Sequence, residues 1–303
     1  MSALSSIKQN TSLPRAVIFG AGKAGESALA NLRMSYDFIA FVDNDVKKQG
    51  RMLNGLPICS VKDIEHDDST IFIASEFFEQ IKSQLLASSS IAYERVKAVP
   101  VRLLKSMALE NDIDAIGLTI LNTIRNSLEA TSVNYHLDAG TLLGLFRDGA
   151  LIPWDDDLDI AVNAADLEQV IELMPSILER LQAATQEKWH ATTHKSNHAF
   201  GNVNKGAIRS FKLHAVNGKN VPSLDLFVKY VKNDHSDYCL ASRGIRMPAR
   251  FMLSTWELEI AGQTWRVPKD TEGYLAIHYG KNWQVPNPDW CLQDLDNAKV
   301  FDV

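Results

Sequence analysis

Residues 154–163 read WDDDLDIAVN, and they constrain the fold more tightly than any other stretch of the chain. On an extended backbone, side chains alternate across a strand. Asp155, Asp157 and Asp159 therefore point to one face, and Leu158, Ile160 and Val162 to the other. The apolar face requires a core. The acidic face requires a counter-charge, because three carboxylates on one side of a strand repel one another. Hard divalent cations with oxygen ligands supply it, and Mg²⁺ characteristically takes a few carboxylates together with substrate phosphates. The D-x-D-x-D spacing also opens a calcium loop, but Ile160 stands where an EF-hand needs glycine. A solvated acidic turn is the bland reading. It does not explain why the acids run straight into a β-pattern behind Pro153-Trp154. The expectation is a metal–phosphate site.

The flanking residues extend that expectation. Upstream, Gly140-Thr141 before Leu142-Leu143 suggests a helix start, with Thr141 as candidate cap and amides able to hold a phosphate. Arg147 follows on that helix or just after it, and its fork of donors suits phosphate oxygens. Downstream, SLDLFVKY (223–230) alternates so that Leu224, Leu226 and Val228 share one face and Asp225, Phe227 and Lys229 the other. An aspartate on so apolar a run is a candidate third carboxylate, since an unpaired buried one would be costly. Lys229 reads as a surface lysine with a snorkelling stem. Trp154, Trp256, Trp265, Trp283 and Trp290 could form an aromatic box for a cationic headgroup, but only Trp154 adjoins the acids. His190, His194 and His198 recur every fourth residue. A helical metal stripe and an alternating strand both fit, and the histidines are read as ordinary.

The front of the chain has a different grammar. RAVIFG (15–20), FIAFVD (38–43), STIFIAS (69–75) and 95–99 read as strands, with helices over 23–33 and 76–87, which indicates a parallel sheet of about four strands. Gly20-Ala21-Gly22-Lys23-Ala24-Gly25 joins the first strand to the first helix, and Asp43 ends the next strand. This matches a dinucleotide fingerprint: Gly20, Gly22 and Gly25 for the tight turn, and Asp43 for a ribose. The glycines alone could equally serve close helix–strand packing. FVDNDVKKQGRMLNGLPICSVKDI resembles short Rossmann-like modules attached to bacterial sugar-modifying enzymes. That places scaffolding first, nucleotide or sugar-phosphate binding next, and NAD-dependent nucleotide-sugar chemistry as the alternative enzyme reading. Apolar residues at helical spacing from Val101 to Leu128 mark a change of architecture, with the boundary near 105. Beyond them, a helix is expected over 165–185 and a β-rich region to Val267, with Ala261-Gly262 as a hairpin turn.

Composition bounds the partners. The net charge of −6 over 303 residues argues against a phosphate-backbone binder, so no nucleic acid is expected. Cys59, Cys239 and Cys291 are too scattered for a disulfide framework or zinc knuckle, and read as buried thiols. No signal peptide or membrane-spanning run is evident, which suggests a cytoplasmic protein and leaves room for peripheral membrane association.

With these residues in hand, GTLLGLFRDGALIPWDDDLDI resembles the defining segment of the LicD family of phosphocholine transferases, which extends to fukutin-related polyol-phosphate transferases. LDLFVKY and VPKDTEGYLAIHYGKNWQVPNP resemble two later segments of that family. The resemblance implies an α+β nucleotidyltransferase fold over residues 105–303, behind a small α/β Rossmann-like module over residues 1–104. It implies Gly140 and Thr141 at the nucleotide-side turn and Arg147 as the family arginine. Asp157 and Asp159 become the metal-binding pair, Asp225 the acid of the later strand, and Asp155 a base or further ligand. Trp154 is a substrate-side candidate. The implied chemistry is transfer of phosphocholine or a polyol phosphate from a CDP-linked donor to a sugar hydroxyl of a cell-surface glycan, with Mg²⁺ or Mn²⁺ and release of CMP. The cysteine-rich zinc insert of some relatives is absent.

Overall fold

The computed structural model describes residues 13–87, 90–105, 113–217 and 221–302. These divide into two compact units. One runs to Lys105 and takes in Pro288–Leu292, and the other runs from Ile113 to Asn287 and takes in Gln293–Phe301.

In the first unit, β1 (Arg15–Phe19) leads into α1 (Lys23–Leu32), β2 (Asp37–Val42), β3 (Met52–Leu53), β4 (Leu56–Cys59), β5 (Thr70–Ile73), α2 (Phe78–Leu86), β6 (Val96–Ala98) and α3 (Val101–Leu104). The sheet order is β3-β4-β2-β1-β5-β6. All neighbours are parallel except β3 and β4. Both faces are buried, as helices on either side of a parallel sheet require. Val17, Phe19, Ile71 and Ile73 pack into one core cluster. Their neighbours Ala16, Ile18 and Phe72 pack into the other. Six strands form where about four were expected. The two additional ones are a hairpin across Asn54-Gly55, whose φ values of 48° and 80° fit the two-residue turn that Asn-Gly favours.

The second unit opens with α4 (Ile113–Glu129), β7 (Tyr135–Leu137), α5 (Ala139–Asp148), β8 (Asp157–Asn163) and α6 (Leu167–Thr185). Next come β9 (Trp189–Lys195), β10 (Ile208–Ala215), β11 (Ser223–Lys232), β12 (His235–Cys239), β13 (Arg243–Pro248) and α7 (Arg250–Leu253). It closes with β14 (Thr255–Ile260), β15 (Gln263–Pro268), α8 (Thr271–Tyr279) and β16 (Ala298–Val300). Eight of the strands form one sheet, in which β11 lies parallel to β8 and antiparallel to β10. The turn at Ala261-Gly262 has φ values of 54° and 73° and joins β14 to β15 as expected. His190 and His194 lie on a strand, so the helical stripe does not form. His198 instead stacks on Phe301. The helical pattern from Val101 resolves into α3 and α4, while Met107 and Ala108 lie outside the described residues. Among the described residues, no helix is long and apolar enough to cross a membrane. Cys59 and Cys239 are buried free thiols, and Cys291 is half-buried.

Candidate active site

The strand β8 is anchored from below. Leu158, Ile160 and Val162 are buried, and full burial of each such side chain contributes about 1.5–3 kcal/mol. That anchorage fixes the register, and a slip of one residue would turn the acids into the core. On the opposite face stand Asp157 and Asp159, one pleat apart. β11 runs beside them in parallel register, with Asp225 opposite Asp159 and Ser223 opposite Asp157. Adjacent strands lie about 4.8 Å apart, so the Asp159 and Asp225 side chains are neighbours on one face. Asp155 sits in the turn before β8, its amide donating to the Ile152 carbonyl at 2.9 Å. It joins the cluster through space: Asp155, Asp156 and Asp157 bring carboxylate oxygens within 4.8 Å of one another.

The first turn of α5 closes over these acids. The Gly140 amide donates to Asp159 Oδ2 at 3.1 Å. A Cβ at Gly140 would lie 2.6 Å from Asp155 Oδ2 and 3.5 Å from Asp159 Oδ2, so a larger residue there would push the Asp155 carboxylate aside. Thr141 is not the cap. The helix begins behind Asp138, and the buried Thr141 hydroxyl instead accepts the Asp159 amide at 2.8 Å. Gly140 and Thr141 thus hold an acid and its strand in this structure. Arg147 lies seven residues further along α5, about 10 Å by helical rise. Its guanidinium is clamped on Asp148 at 2.9 and 2.6 Å, with the Trp283 carbonyl at 3.5 Å. The Trp154 indole is 42% exposed, whereas Trp265 and Trp283 are core residues, so the five tryptophans do not form one box.

Electrostatics sets the character of the cluster. Burial pushes the Asp159 carboxyl well above its ordinary value, and the charges of Asp157, Asp155, Asp225 and Asp138 push it further. Lys212 on β10 offsets part of this charge, placing Nζ 2.7 Å from Asp225 Oδ2 and 3.9 Å from Asp157 Oδ2.

Beneath the acids lies a polar network that the sequence reading missed. Asp138 is fully buried, and its amide donates to the Asp159 carbonyl at 3.0 Å. Its carboxylate meets Lys229 Nζ at 2.6 Å and accepts the Tyr274 hydroxyl. Lys229 is therefore no surface residue. It is 3% exposed, and its ammonium lies 3.2 Å from the Tyr238 ring centroid. Burial alone would raise the Asp138 carboxyl, but Lys229 and then His136 outweigh it and hold the group well below its usual range. Tyr279 belongs to the same surroundings. Burial first, and then Asp159 and Asp155, hold its phenol well above the ordinary value, which keeps a neutral donor beside the acids.

The front unit has a cleft of about 710 Å³ lined by Gly20, Gly22, Gly25, Asp43, Lys48 and Phe77 among others. Gly25 packs helix to strand, since a Cβ there would lie 1.9 Å from the Gly20 carbonyl oxygen. Nothing lies within 4 Å of a Cβ at Gly22. Asp43 Oδ2 accepts the Ala21 amide and Lys48 Nζ, each at 2.9 Å. The carboxylate expected to meet a ribose thus braces the glycine loop. Burial raises its pKa, but Lys48 and the Asp45 and Ala21 amides prevail and lower it.

Residues 132–270 match the family model LicD/FKTN/FKRP, nucleotidyltransferase domain. The match is shorter than the 105–303 of the resemblance, whose C-terminal segment runs past it. Residues 12–97 match a second model, C2185-like, N-terminal. Ribitol-5-phosphate transferase FKTN of Mus musculus is 28% identical over 190 residues, 60% of this chain and 37% of that protein. Ribitol 5-phosphate transferase FKRP of Homo sapiens is 26% identical over 168 residues, 53% of this chain and 31% of that one. Lipopolysaccharide cholinephosphotransferase LicD of Haemophilus influenzae is 32% identical over 58 residues, 19% of this chain and 22% of that one. The acid-bearing strands β8 and β11, the helix α5 and the hairpin β14–β15 all fall inside residues 132–270, the segment that matches the LicD family model.

Proposed function

We propose that the second unit transfers a substituted phosphate, phosphocholine or a polyol phosphate, from a CDP-linked donor to a sugar hydroxyl of a glycan or its precursor, releasing CMP. The observation that carries this reading is the parallel register that sets Asp225 beside Asp159, with Asp157 one pleat away. The family's named relatives act with ribitol phosphate and phosphocholine, which supports the class of group transferred.

The acids of β8 and β11 offer carboxylate oxygens, the chemistry suited to Mg²⁺ or Mn²⁺, although the oxygens that already converge within 4.8 Å are those of Asp155, Asp156 and Asp157. Asp157, Asp159 and Asp225 would hold the ion. When bound, it supplies charge neutralisation at the donor's diphosphate. The protein's own part is positioning. The Gly140 amide and Thr141 hydroxyl fix Asp159, and β11 fixes Asp225 against it. Asp155, whose carboxylate lies against Gly140, would orient the acceptor hydroxyl or take its proton. Tyr279 offers a neutral hydroxyl donor beside the acids. Arg147, held on Asp148 through Nε and Nη2, would meet a phosphate through Nη1 or by leaving Asp148.

The test is Asp157→Asn with a panel of CDP-donors. A folded variant that no longer transfers supports the assignment, and one that retains divalent-dependent transfer removes it.

A further inference from the structure

We propose that Lys212 is the counter-ion of the acid cluster before metal and donor arrive, and that it then moves onto the donor's phosphate. The proposal rests on the metal-assisted phosphate-transfer reading above and assigns it a residue.

Lys212 lies on β10, directly across from Asp225 on β11. Its ammonium lies 2.7 Å from Asp225 Oδ2 and 3.9 Å from Asp157 Oδ2, so it bridges acids from both strands of the site. It thus occupies oxygens that a hard divalent ion would need. An ammonium and a divalent cation cannot share those oxygens without like-charge repulsion at a few ångströms.

The two lysines of this face differ in their freedom to respond. Lys229 has a side chain 4% exposed and is locked on the buried Asp138. The Lys212 side chain is 37% exposed, against 12% for Asp225, so it has solvent to move into. A flexible four-carbon stem with a compact charge is a phosphate ligand as well as a carboxylate partner. A diphosphate placed against the acids by a metal brings new negative charge to the rim where Lys212 stands. The lysine therefore has one partner set without metal and another with it.

The consequence is a pair of effects of opposite sign. Removing the ammonium frees the carboxylates for metal and deprives the diphosphate of a contact. Lys212→Met in the full-length chain is titrated with Mn²⁺ alone, and then with CDP in the presence of Mn²⁺. The expected results are Mn²⁺ binding about fivefold tighter than wild type and CDP binding about tenfold weaker. Lys212→Arg keeps the charge and should hold Mn²⁺ affinity at the wild-type value. Lys212→Gln replaces the Met variant if that one does not fold. Mn²⁺ binding that is unchanged or weaker in Lys212→Met, or unchanged CDP affinity, overturns the proposal and leaves the metal site standing. Wild-type protein that binds no Mn²⁺ overturns the functional reading and this inference with it.

Discussion

Asp159→Asn should stabilise the metal-free protein, against the usual direction for a substitution at a buried polar position. Asp159 is 8% exposed and faces Asp157, Asp155 and Asp225. A like charge about 5 Å away at an effective dielectric of about 20 costs roughly 3 kcal/mol. Lys212 and the Gly140 amide offset part of the sum. Asparagine keeps the size and can still accept from Gly140, so the variant loses repulsion and little else. The net gain should be about 1–3 kcal/mol, or a rise in Tm of roughly 3–8 °C for a unit of this size. The sign with pH follows from linkage. A carboxyl whose folded pKa is raised favours the folded state when protonated, and that contribution is lost as pH rises through the folded pKa. The gain from Asp159→Asn should therefore be larger at about pH 8 than at about pH 5. The assay is thermal unfolding in EDTA at both pH values, repeated with Mg²⁺, where wild type gains stability and the variant does not. A metal-free variant that melts at or below wild type at about pH 8 would refute the claim that the cluster is electrostatically frustrated.

Lys229→Met should cost about 3–5 kcal/mol, because it leaves Asp138 charged and buried without its cation, the Tyr274 hydroxyl remaining; urea unfolding measures this, and a loss below about 1 kcal/mol contradicts the ion pair. Gly25→Ala should destabilise the first unit by about 2 kcal/mol or more through its clash with the Gly20 carbonyl, and a calorimetric scan with an unshifted first-unit transition would be inconsistent with the packing. His278 is buried and its pKa is lowered to about 4, mainly by burial, so its neutral form is the folded one. Its contribution is intact above the unfolded value of about 6.5 and is lost as pH falls towards the folded one, about 3 kcal/mol in all. His278→Asn should lack that acid-side loss, and parallel stability–pH curves for the two proteins would disprove the assignment.

Much of the site was legible because strand alternation is local. The run DLDIAV fixes which side chains share a face before any partner is known, and Asp225 was legible for the same reason. Lys229 lies on the same face of the same strand, yet its burial depends on α8, some fifty residues later, laying Tyr274 onto Asp138. Alternation gives the face but not what covers it. Asp138 carried a signal that was overlooked, an acid directly between an apolar strand and a glycine-bearing helix start. Placing the cap at Thr141 missed the helix start by a few residues, because its hydroxyl serves the neighbouring strand rather than its own helix. The hairpin at Asn54-Gly55 was also readable from its turn dipeptide, but strands of two and four residues carry no periodicity. At Asp43 the motif letters matched a ribose ligand, while the structure engages the carboxylate with Ala21 and Lys48.

The central claim is that acids from β8 and β11 jointly serve a divalent-dependent phosphate transfer. It is tested most directly by incubating wild type and Asp225→Asn with CDP-ribitol, CDP-glycerol or CDP-choline and a panel of glycan acceptors, and reading CMP and product mass together. The account predicts CMP release matched by one added substituted phosphate on an acceptor, lost with EDTA and lost in Asp225→Asn. Transfer that persists without a divalent cation, or at full rate in the folded variant, would contradict it.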